Sequence, residues 1–118
     1  MSRPWGPRIR GDRGAGGVLA LAIVAATVVA TLGALALSSA LATRHRVSTA
    51  ADAAALAAAD VVLGVVPGDP CATASELARS HHTTLVDCRI EGAHAYVTAE
   101  GGFAGIAVRA SAHAGPPP

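Results

Sequence analysis

Residues 18–42 read VLALAIVAATVVATLGALALSSALA, and no charged residue occurs anywhere from Gly14 to Thr43. A helix that crosses roughly 30 Å of hydrocarbon needs about 20 such residues, so this stretch spans a bilayer with length to spare. Before it stand Arg3, Arg8, Arg10 and Arg13 against a single acid, Asp12, whereas only Arg44 and Arg46 follow it closely. That imbalance predicts a cytoplasmic N-terminus, with everything after Thr43 outside. The competing reading is a secretory signal peptide cut after Ala40-Leu41-Ala42. The apolar core of such a peptide runs only about 7–15 residues, so the expectation here is a retained anchor. Arg10-Gly11-Asp12 spells an integrin-type tripeptide, but it falls on the side predicted to be cytoplasmic and receives no role.

Within the span, Ala22, Ala26, Ala30, Ala34, Ser38 and Ala42 form an unbroken series of small residues every fourth position. Such a ridge lets two membrane helices bring their backbones close. No ionisable residue interrupts the span, which argues against a proton or ion pathway. Anchoring and assembly remain.

The helical pattern continues outward. Residues 44–63 contain neither Gly nor Pro and are dominated by Ala, the best helix former. Val47, Ala51, Ala54, Ala58 and Val61 recur at spacings of three and four, which predicts one apolar face. A single helix from Gly17 to Leu63 would be about 70 Å long. It stops at Gly64 and Pro67-Gly68-Asp69-Pro70. Asp69 then offers a cap and Pro70 a first helical residue for a short helix over Ala72–His82, with Leu77 and Ala78 inward. Thr84–Ile90, Ala93–Ala99 and Phe103–Ala112 alternate as strands, with turns expected at Glu91-Gly92 and Gly101-Gly102.

The fold class is therefore α+β and membrane-anchored: a long transmembrane helix that continues outside, then a short helix and a three-stranded antiparallel meander. Five regions follow: a basic cytoplasmic arm over 1–13, the transmembrane helix over 14–43, its extracytoplasmic extension over 44–64, a small cap over 65–113, and a Pro-rich tail over 114–118. Composition agrees. The chain has 118 residues, so a large enzyme core is excluded, and its single Trp, Tyr and Phe leave Ala, Val and Leu as the apolar material. A net charge of +1 offers no nucleic-acid surface.

So small a cap needs a staple. Cys71 opens the short helix and Cys88 lies in the first strand; outside the cytoplasm such a pair forms a disulfide, worth about 3 kcal/mol for a loop of this size. The alternative is zinc, because His81, His82 and His94 lie between or near the cysteines. Against it, the paired Cys-x-x-Cys or His-x-x-x-His spacing of strong zinc sites is missing. No Gly-x-Ser-x-Gly elbow, phosphate loop or His-Glu-x-x-His occurs, so no catalytic residue, metal or cofactor is expected.

Arg44 to Asp60 reads RHRVSTAADAAALAAAD. This stretch resembles the signature of TadE/TadG-like proteins of Tad (tight adherence, Flp pilus) systems. The positions that carry the resemblance are Arg44, Arg46, Ala50, Ala51, Asp52, Ala53, Ala54, Ala55, Leu56 and Ala57. Pro70, Cys71 and Cys88 add a likeness to the small TadE-like subgroup of high-GC Gram-positive bacteria. The resemblance implies a non-enzymatic, minor pseudopilin-like single-pass subunit of a pilus or secretion assembly apparatus. Its implied partners are the lipid bilayer and other pilin-like or Tad-system membrane subunits, with further copies of the chain as a homo-oligomer. One departure stands out: proteins cut by a prepilin peptidase commonly carry Glu five residues after the cut, whereas the fifth residues after Gly14, Gly16 and Gly17 are Leu19, Leu21 and Ala22. Two other functions compete. One is a membrane-anchored extracytoplasmic ligand-binding or adhesion module; the other is a product released at Ala42.

Overall fold

The computed structural model describes residues 5–118, with side chains from Gly14 onward. The expected basic arm lies outside these described side chains. Helix α1 runs over Trp5–Val62 and helix α2 over Pro70–Ser80; strands β1 (Thr84–Glu91), β2 (His94–Phe103) and β3 (Ile106–Ala114) form one antiparallel sheet in the order β1-β2-β3. The expected class of fold is present, with a long apolar helix, a short helix and a three-stranded meander.

Helix α1 begins earlier than Gly17. Gly14, Gly16 and Gly17 all lie within it, in open space. Each Gly costs about 1 kcal/mol relative to Ala but removes no hydrogen bond, so a cluster of glycines does not by itself stop a helix. The stop is Gly64, whose φ of 80° leaves helical geometry while its N–H donates back to the Val61 carbonyl, 3.0 Å away.

The chain divides after Ser38 into two units. In the first, every described residue from Gly14 onward is exposed, including Val18, Leu21, Ile23, Val29 and Leu35.

In the second, the C-terminal part of α1 buries Val47, Ala50, Ala51, Ala54, Ala55, Ala58 and Ala59 against Ala95, Val97 and Ala99 of β2 and Ala74 of α2. Only Val47 and Val97 are large among the fully buried side chains. Small residues bring helix and sheet backbones close, so this core is thin and closely apposed.

The closest approach corrects one expected turn. Gly101 lies inside β2, where an added Cβ would sit 2.7 Å from Val47 Cγ2. It is a glycine because α1 passes directly over it. The chain turns instead at Ala104-Gly105, with φ of 50° and 79°, and Phe103 pairs with Ile106; positive φ at both central residues suits the twist of a two-residue hairpin. The first turn is also one residue later than expected, at Gly92-Ala93 between the paired Glu91 and His94.

Helix α2 starts at Pro70, two residues before Ala72, and ends at Ser80, because the carboxylate of Asp69 accepts from the Ala72 N–H at 2.8 Å and fixes the first turn. Its inward residues are Ala74 and Ala78, with Leu77 only half-buried. The register of β1 slips between Leu85 and Asp87 at a bulge.

Candidate assembly surfaces

Residues 14–62 form a helical stretch long and apolar enough to cross a membrane. Ala22, Ala26, Ala30, Ala34 and Ser38 are all exposed on its surface. The hydroxyls of Thr27 and Thr31 donate to the Ile23 and Thr27 carbonyls four residues back, each at 2.8 Å. Their polarity is thereby satisfied within the helix, as hydrocarbon requires. What this segment presents is an apolar surface with a row of shallow notches.

The Arg44–Ala57 residues separate into two sets. Ala50, Ala51, Ala54 and Ala55 are buried under the sheet, and Ala53 and Ala57 are half-buried beside them. Arg44, Arg46, Asp52 and Leu56 are exposed. The alanines are thus the helix's docking face within its own cap, where any larger side chain would separate helix from sheet. The charged residues and Leu56 remain available to something else.

Cys71 and Cys88 are joined, with 5.8 Å between their Cα atoms, and tie the first turn of α2 to β1. The bridge engages both thiols. Among the described residues no group of three or more His, Cys, Asp or Glu is placed to hold a metal ion. His81 closes α2 and His82 follows at φ 57°, while His94 lies across the sheet on β2.

The outer face of the sheet carries a cluster that sequence reading did not single out. Tyr96 on β2 is flanked by Arg89 of β1, its guanidinium carbon 4.8 Å from the ring centre, and by His113 of β3, stacked at 4.4 Å. His113 Nε2 lies 2.9 Å from His94 Nδ1. Ion pairs join Arg89 to Glu91 at 3.0 Å and Arg109 to Glu100 at 2.6 Å. Pairing across strands assembles all of this, so only the register could have revealed it: Arg89 opposite Tyr96, and Tyr96 opposite His113. A shallow depression of about 290 Å³ lies over Asp87, Thr98, Ser111 and the Arg89–Tyr96–His113 row. The row's own partners occupy both sides of the Tyr96 ring, which leaves little free aromatic surface for a ligand.

An exposed apolar helix ahead of a small disulfide-bridged α+β cap fits a single-pass membrane protein. Residues 14–61, less than half of the chain, match the family model of Flp pilus-assembly TadE/G-like proteins. The matched segment holds the apolar stretch and all of Arg44–Asp60, and stops before α2 and the sheet. No curated protein and no solved structure matches the chain.

Proposed function

We propose that this chain is a minor pseudopilin-like, single-pass subunit of a Tad-type pilus or secretion assembly apparatus, of the small TadE-like subgroup of high-GC Gram-positive bacteria. The observation that carries the reading is the match over residues 14–61, which takes in the apolar stretch of helix over residues 14–38 that is exposed throughout. In this reading the N-terminus is cytoplasmic, residues 14–43 cross the membrane, 44–64 extend the helix outside, 65–113 form the cap and 114–118 a tail. The ridge Ala22, Ala26, Ala30, Ala34 and Ser38 packs against other Tad-system membrane helices. Association in lipid gains nothing from exchanging one apolar surface for another, so close backbone approach drives it. Catalysis has no part in this role, because the family is one of pilus assembly.

The test is recovery from native membranes. A tagged chain is expected to co-purify with other pilin-like or Tad-system membrane subunits, and a reporter fused after Gly64 is expected to behave as extracytoplasmic. Recovery of the chain alone from solubilised membranes, or a cytoplasmic reporter signal, contradicts the proposal. The ligand-binding alternative predicts instead that an isolated cap retains affinity for a ligand.

A further inference from the structure

We infer that the extracytoplasmic part of α1 carries a head-to-tail contact between copies of this chain, displaced along the helix by six residues. This rests on the reading above, in which all copies share one membrane and one orientation.

Two surfaces of the second unit carry the inference. One is a knob face. Leu63 and Asp52 are both exposed; Leu63 lies one residue past the end of α1 but its N–H still donates to the Ala59 carbonyl four residues back, at 2.9 Å, so the eleven-residue spacing returns it to roughly the same side as Asp52. The other is a hole face. Ala57 forms one wall of a shallow groove of about 320 Å³, whose other wall is Thr73, Glu76, Leu77 and Ser80 of α2. Arg46 lies eleven residues before Ala57, again within about 20° of it, and its guanidinium is exposed beside Gly101. Among the described residues, neither Asp52 nor Arg46 has an ion-pair partner; the two pairs present are Arg89–Glu91 and Arg109–Glu100.

The two faces have the same internal spacing. A neighbour shifted by six residues, about 9 Å along the helix, therefore sets both contacts at once: its Leu63 meets the groove at Ala57, and its Asp52 meets Arg46. The charges of Asp52 and Arg46 are complementary, and Leu63 meets Ala57 and Leu77 in the groove, so the occupant is a second copy. Ala57 and Leu63 are six residues apart and so roughly 120° apart around the helix. The face that receives a neighbour is thus different from the face that reaches the next one, and the contact is heterologous and open-ended instead of a closed pair.

The test uses the full chain in its membrane. Two tagged versions are co-expressed, one carrying Ala57→Cys and the other Leu63→Cys, and mild oxidation is followed by non-reducing electrophoresis. Arg46→Cys with Asp52→Cys is the second pair. Each mixed pair is expected to give a cross-linked dimer that neither variant gives alone. A charge test does not depend on new cysteines: Asp52→Arg and Arg46→Asp should each weaken self-association by about fivefold, as loss of an exposed ion pair implies, and the two changes in one chain should restore it. Both sites are exposed, so the fold is kept. Cross-linking of like variants, or no cross-linking while the chain remains in the membrane with its partner subunits, overturns this contact and leaves the proposed function standing. A chain found outside the membrane fraction ends both.

Discussion

Residues 22–38 and 47–61 belong to the same helix and are built from much the same side chains, yet they sit in opposite surroundings. Ala22, Ala26, Ala30 and Ala34 are exposed, whereas Ala50, Ala51, Ala54 and Ala58 are buried beneath a sheet. Composition alone does not assign an alanine its role; the neighbouring residues do. Around the first set stand Leu, Ile and Val on every side, which suits a surrounding hydrocarbon. Around the second set stand Arg44, Ser48, Asp52 and Asp60 on the open side, which suits water there and protein opposite.

The largest effect expected from breaking this contrast is on the covered half. Cys88→Ser removes the disulfide that ties the first turn of α2 to β1 and should cost the cap about 3 kcal/mol, read as a lower midpoint of thermal unfolding. The exposed half should keep its helical circular dichroism in detergent, and an unchanged cap midpoint would show that the bridge contributes little.

The same substitution made in both halves sharpens the comparison further. Ala54→Leu forces three extra heavy atoms between α1 and the sheet and should destabilise the cap by roughly 1–3 kcal/mol. Ala30→Leu, at an exposed position, should leave cap stability within about 0.5 kcal/mol of the native chain. Equal effects on the cap would erase the distinction between the halves.

Smaller again is the effect at the helix–sheet crossing. Gly101→Ala should destabilise by about 1 kcal/mol through overpacking, and Val47→Ala in the same chain should relieve part of that loss, because Val47 Cγ2 is the atom the new methyl meets. Strict additivity of the two changes would place the strain elsewhere. The smallest expected effect is at the cap of α2, where Asp69→Ala removes the acceptor of the Ala72 N–H and should cost about 1 kcal/mol or less, visible as faster amide exchange over residues 70–73.

Much of this was legible in the sequence, for definite physical reasons. An uncharged stretch of this length has few alternatives to a membrane helix, and spacings of three and four put Val47, Ala51, Ala54, Ala58 and Val61 on one face, all of them buried. That face also takes in Ala50, Ala55 and Ala59, because a flat sheet covers a wider arc of helix than a single neighbouring helix would. Gly101-Gly102 was misread because glycine marks a turn and a close approach with the same letter; only the presence of Val47 above it decides. Ala104 at a positive φ gave no signal, since alanine is an unfavourable choice there. The Arg89–Tyr96–His113 row was hidden because it depends on the pairing of three strands, and a one-residue slip would have dispersed it.

The central claim is that the exposed half of α1 carries the contacts to other membrane subunits. Its most direct test is quantitative recovery of those subunits with a chain carrying both Ala30→Leu and Ala34→Leu, compared with the native chain. The account predicts that the altered chain inserts normally, keeps its Cys71–Cys88 bridge and loses most of its partner subunits, because added bulk on the ridge holds the helices apart. Full recovery of partners by a chain that is inserted and bridged would contradict it.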